Sequence, residues 1–251
     1  MTTANLEKAF DILAKATEED DKKNYEESFR YYVQGIIYLL HVAKHEAKGE
    51  LSKEHINEVM ADYINKAKKV KEYLDAKKTN VSAYLDDLED RTTDNVVNVM
   101  IELVCLFEDA TPTPIVTVYE NKYHSNIMAN PTTTLQKATE ILTDATEDDK
   151  SRYYEDALPA YVQGVISLIH VVNHEVEIPT ATMLAKSKSL AYMQRAKRIK
   201  DYLEMKNIIT VNKYLDDLET ITDSDMVNVL FETICLYKES EDSSTVNVTV
   251  E

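Results

Sequence analysis

Tryptophan is absent from these 251 residues, and there are only three glycines and five prolines. A chain so poor in breakers and turn formers reads as helical rather than as a turn-rich β fold. Bases are outnumbered: 28 Lys and Arg stand against 45 Asp and Glu, a net charge of −17. Non-specific nucleic-acid binding draws on an excess of cations, so no nucleic-acid partner is expected. An anionic membrane repels such a chain unless its bases cluster on one face. Only two cysteines occur, Cys105 and Cys235, each inside an apolar run, with no CxxC. They read as small buried hydrophobes in a reducing cytosol. No apolar run is long enough to span a bilayer, and Met1 to Lys8 shows no signal-peptide core. A cytoplasmic location without membrane insertion is expected.

What the chain does have is a repeat. Leu6 to Glu46 realigns on Leu135 to Glu175 with an offset of 129. Tyr32-Val33-Gln34-Gly35 returns as Tyr161-Val162-Gln163-Gly164, and Lys71-Glu72-Tyr73-Leu74 as Lys200-Asp201-Tyr202-Leu203. One extra residue then shifts the offset to 130, and Tyr84-Leu-Asp-Asp-Leu-Glu89 equals Tyr214-Leu-Asp-Asp-Leu-Glu219 without a change. Duplication at this length means two units, each large enough for its own core. The stretch 111–131, with Pro112, Pro114 and Pro131, reads as a linker.

Periodicity predicts an all-α fold. Leu6, Ala9, Phe10, Leu13 and Ala16 form the stripe of a first helix. Tyr25, Phe29, Tyr32, Ile36, Leu39 and Ala43 form the seam of a second, at the alternating spacing of antiparallel bundles. A third helix carries Tyr63, Ala67, Val70 and Leu74, with Ser52 as its N-cap, and Thr180 takes that place in the second copy. Pro159 predicts a kink or a late start in the second copy's second helix. Each repeat adds an acidic tail: a short helix over 82–89, a longer one from Asp94 to Phe107, then an alternating run, 115–120 or 246–251, that reads as strand or extended chain. The expected organisation is two tandem three-helix bundles, 1–78 and 132–207. An acidic helical tail follows each, at 79–110 and 208–251.

The residues then suggest a family. Lys15-Ala-Thr-Glu-Glu-Asp20, Asn24-Tyr25-Glu26-Glu27, Tyr38-Leu39-Leu40-His41 and Lys71-Glu72-Tyr73-Leu74 resemble the MIT (microtubule-interacting and trafficking) domain, in the form found at the N-terminus of the AAA ATPase that disassembles ESCRT-III. The resemblance covers Met1 to about Lys78 and, more loosely, Thr132 to about Lys206. It implies a three-helix bundle without catalytic activity or cofactor. Its partners would be C-terminal tails of ESCRT-III subunits, taken as a helix between helices 2 and 3 or extended between helices 1 and 3. It also implies peripheral recruitment to endosomal or other remodelled membranes. No Gly-Lys-Ser/Thr phosphate loop occurs, so the chain reads as an adaptor or regulator rather than the motor, with the AAA ATPase as a further partner.

Helix-in-groove binding needs apolar anchors flanked by charges that set the register. Ile64 and Met193 take the place of the family's groove leucine. The expected peptide-binding set is Ile64, Ala67, Lys68 and Lys71 in the first copy and Met193, Ala196, Lys197 and Lys200 in the second. The family often has an acid where Lys68 and Lys197 stand, so a more acidic peptide is favoured. From Ile64 to Lys78 there are six lysines against Glu72 and Asp75, which reads as a basic rim or as a solvated face laced with i,i+4 pairs.

The tails carry a competing expectation. Residues 80–126 hold nine acids and only Arg91 and Lys122 as bases. Asp94, Val97, Ile101 and Val104 share the spacing of the family's helical binding motif, with Met100 where an arginine would be. Either these residues are an intramolecular groove ligand, placed in the repeat's own helix-2/helix-3 groove, or the tails enlarge the core elsewhere. His41 with His45, and His170 with His174, stand four apart without a third ligand, so no metal site is expected. Asp86-Asp87 sits in an acidic helix without a pocket signal, so no catalytic residue is expected.

Overall fold

The computed structural model describes residues 3–77, 85, 88–107, 133–175, 179–206 and 214–244. They are helical, with no strand among them. The runs 115–120 and 246–251 lie outside the described residues. The first repeat gives α1 (Ala4–Asp21), α2 (Tyr25–His41), α3 (Glu50–Asp75), α4 (Leu88–Arg91) and α5 (Asp94–Phe107). The second gives α6 (Thr133–Ser151), α7 (Tyr154–His170), α8 (Pro179–Met205), α9 (Tyr214–Thr220) and α10 (Ser224–Ser244). A single π-helical turn extends α2 over Val42–Glu46 and α7 over Val171–Glu175.

Each bundle is built the same way. Thr3 caps α1 by accepting from the Leu6 N–H at 3.2 Å. The turn into α2 is closed by a left-handed residue, Lys23 (φ 62°), and by Arg152 (φ 67°) in the second copy. The N–H groups of Asn24 and Tyr153 then reach back to the carbonyls of Glu19 and Asp148 at 2.9 and 2.8 Å. α1 and α2 approach closely because Gly35 has no side chain. A Cβ there would stand 2.5 Å from Leu13 Cγ, and one on Gly164 would stand 2.4 Å from Leu142 Cγ. α3 and α8 pack on the other side of the second helix. Tyr32 donates to the Asp20 carboxylate at 3.3 Å, and Tyr161 repeats the bond to Asp149 at 3.0 Å.

Several local expectations are corrected. α3 starts at Glu50 rather than after Ser52, because Gly49, at φ 93°, takes the cap position three residues earlier. α8 starts at Pro179, where a missing N–H is harmless, so Thr180 lies within the helix. α7 does not start late: it begins at Tyr154 with Pro159 inside it. Phe10 is half-exposed and Ile12 takes its place inward. α2 is not a one-seam helix, since every residue from Tyr32 to Leu40 is buried. Two neighbours cannot cover a helix all round; it needs a third.

The third neighbour is supplied by the tails, and not by each repeat's own. The described elements form two compact units. One joins α1–α3 with Leu215–Phe231 of the second tail; the other joins α4–α8 with the part of α10 beyond Phe231. The own-groove expectation is thus replaced by an exchange between repeats.

Candidate peptide-binding surfaces

In the second unit, α5 packs against α7 and α8, along the groove between helices 2 and 3 of that bundle. Val97, Met100 and Ile101 are buried there; the Val104 side chain lies outside the described ones. Val96, Val99 and Leu103 are buried too, so the covered arc is wider than the stripe read from spacing. Thr233 of α10 lies over Met100, its hydroxyl 3.9 Å from Sδ. Glu232 bonds His174 Nε2 at 2.8 Å.

In the first unit the equivalent helix is the start of α10. Phe231 meets Phe29 edge-on, with ring centroids 5.3 Å apart. An open cleft of about 300 Å³ remains where the start of α2, the end of α3 and the start of α10 converge. Phe29, Arg30, Lys71, Leu74, Val227 and Asn228 are among its walls.

The predicted peptide-binding residues divide by exposure. Ile64 and Met193 are 5% and 1% exposed, and Ala67 and Ala196 are fully buried. Lys68 is exposed and Lys197 half-buried, 4.0 Å from Asp201. Lys71 pairs with Asp75. Lys200, only 4% exposed, pairs with Glu204 at 2.9 Å. A buried ammonium is tolerated only with a partner, which Glu204 provides.

Sequence reasoning missed a further set, on the side of the first bundle where α1 and α2 run together. Lys8 pairs with Glu219. Tyr38 Oη donates to the same carboxylate at 2.5 Å and stands 3.4 Å from the Leu215 carbonyl. Gln34 Nε2 donates to the Leu218 carbonyl at 3.3 Å. Burial, and then the bond to Glu219, pushes the Tyr38 hydroxyl up to about 12. The Glu219 carboxylate bond holds the Lys8 ammonium well above its ordinary value. Burial works against the Glu219 carboxylate, but its bonds to Lys8 and Tyr38 prevail and hold it below the usual range. Two sequence signals pointed here: a glutamine inside an apolar helix, recurring as Gln163, and the unchanged six-residue motif of the tails.

Each π-helical turn carries a histidine–carboxylate contact: His41 to Glu46 at 3.3 Å and His170 to Glu175 at 3.6 Å. Among the described residues no group of three or more His, Cys, Asp or Glu side chains is arranged to hold a metal ion. No helix among them is long and apolar enough to cross a membrane.

Comparison with known proteins agrees with this architecture. The family model of the MIT (microtubule interacting and transport) domain matches twice, at residues 6–72 and 135–201, more than half of the chain. Vacuolar protein sorting-associated protein 4 of Dictyostelium discoideum is 41% identical over 73 residues, 29% of this chain and 16% of that protein. Vacuolar protein sorting-associated protein 4A of Homo sapiens is 46% identical over 77 residues, 31% of this chain and 18% of that protein. Protein 4B of Mus musculus is 43% identical over 76 residues, 30% and 17% respectively. The chain thus matches about a sixth of each relative's length, within the MIT region. No solved structure matches. With two matched modules and two three-helix bundles, the chain belongs to the MIT domain family.

Proposed function

We propose that this chain is a non-catalytic adaptor or regulator for ESCRT-III tail motifs in endosomal sorting, held at rest with its helix-2/helix-3 grooves filled by its own tail helices. One observation carries this reading: α5 lies against α7 and α8, where a helical peptide of the family's kind would lie. A resident helix raises the threshold for an incoming one, because the incoming peptide must displace buried Val97, Met100 and Ile101. The basic residues on α3 and α8 favour an acidic peptide, and the tails themselves are acidic. Recruitment to remodelled membranes would be peripheral and through protein partners, the AAA ATPase among them.

Fluorescence anisotropy with ESCRT-III C-terminal tail peptides tests this. The full chain should bind weakly, and an Ile101→Asp variant about tenfold more tightly, as expected if a mostly closed groove is opened. Equal affinities would remove the self-occupied reading. Absence of binding by both would remove the ESCRT-III reading.

A further inference from the structure

The α1/α2 face of the first bundle is apart from the helix-2/helix-3 groove, yet it is built as a receptor. Gln34 and Tyr38 are buried at 4% and 1% exposure, and each aims its polar atom at the second tail. A helix leaves its last four carbonyls without intrahelical partners. α9 ends at Thr220, and the Leu218 carbonyl that Gln34 meets there also accepts from the Ile221 N–H at 3.3 Å. Lys8 and Tyr38 close on the Glu219 carboxylate beside that end, and the Lys8 ammonium lies 5.3 Å from the Tyr38 ring centroid. Uncovered, the Gln34 amide would exchange the Leu218 carbonyl for water.

We propose that this face is a second peptide-recognition site, reading the end of a short acidic helix of Tyr-Leu-Asp-Asp-Leu-Glu type, with α9 as its resident ligand. The motif itself supports this. Tyr84 to Glu89 repeats all six residues, while the flanking Ala83 and Asp90 stand where the second tail has Lys213 and Thr220. On the receptor side, Lys8 and Gln34 recur as Lys137 and Gln163, but Tyr38 is replaced by Ser167. The second bundle lacks the hydroxyl that reaches Glu219 in the first. The full reading head, with a cation, an amide and a phenol, therefore belongs to the first bundle.

Two measurements on the full chain test the site, and neither depends on the groove reading. Hydrogen exchange over 214–220 should quicken about two- to five-fold in Lys8→Glu and in Glu219→Lys, the size expected of a half-exposed ion pair. It should return toward the wild-type rate in the double variant, while the amides of α1 and α2 keep their protection. Unchanged exchange in both single variants would overturn the proposal. Next, a capped peptide of residues 212–222 is titrated into the Glu219→Lys chain and followed by amide NMR shifts. Shifts at residues 8, 34 and 38, weakened about two- to five-fold by adding Lys8→Glu, are expected. Shifts confined to α2 and α3, or an affinity indifferent to Lys8→Glu, would overturn it. A working site with no ESCRT-III binding would leave this inference standing without the proposed function.

Discussion

Phe231 of the second repeat meets Phe29 of the first edge-on, at 5.3 Å between centroids, and both rings are buried. Edge-to-face aromatic pairs contribute on the order of 1 kcal/mol beyond the area they bury. Here that contact ties the end of the chain to its beginning. Cutting the chain once, at a protease site placed within 111–131, should therefore not separate it. The halves are expected to elute together in size-exclusion chromatography, since each compact unit draws helices from both. Phe231→Ala, which removes about 3 kcal/mol of buried aromatic packing, should weaken that association. Halves that separate on cutting would contradict the exchange.

The glycines facing α1 and α6 give a second prediction. Gly35→Ala and Gly164→Ala each place a methyl about 2.5 Å from a buried leucine. Each should lower unfolding free energy by about 1–3 kcal/mol in urea titration. Pairing Gly35→Ala with Leu13→Ala should recover part of the loss, because the three nearest atoms all belong to that side chain.

A third concerns pH. Arg195 binds Asp149 through two bonds, at 2.6 and 2.5 Å, and Tyr161 adds a third at 3.0 Å. The Arg195 guanidinium, more than burial, sets the Asp149 carboxyl, and holds it below its ordinary value. A depressed carboxylate stabilises the fold above its unfolded pKa, about 4, and that stability is lost as pH falls through the folded value. Arg195 is 42% exposed, so solvent screening limits the pair to about 1 kcal/mol. Asp149→Asn should cost about that much at pH 7, and the gap to wild type should narrow as pH falls below the unfolded value, about 4, and through the lower folded one. The first bundle has Lys66 where Arg195 stands, and it lies over the Tyr63 ring at 4.6 Å, so Asp20→Asn should show a smaller effect.

Much of this fold was legible before any coordinates. The period of apolar residues placed the bundle helices, and α5 runs over the expected Asp94 to Phe107. The misses share a cause. Gly49 moved the start of α3 through a backbone conformation that hydropathy does not encode. The all-round burial of Tyr32 to Leu40 arises from a tail more than 170 residues away in sequence, and no local pattern carries that. Which tail covers which bundle was hidden for a sharper reason. Both tails present the same Tyr-Leu-Asp-Asp-Leu-Glu face, so their local chemistry does not distinguish own groove from neighbour's. Lys8, Gln34 and Tyr38 escaped notice because their partners include two main-chain carbonyls, which every sequence offers alike.

The exchange also fixes a conservation rule for apolar surface. Among the described residues, two groove helices meet two grooves, and most of the described side chains of each helix are buried. A helix entering from outside cannot simply fill a vacancy; it evicts one whose Met, Val, Ile or Phe side chains then face water. Such an evicted helix would find equivalent cover in another groove of the same kind. Occupancy by a foreign helix would thus be passed along from molecule to molecule rather than absorbed by one.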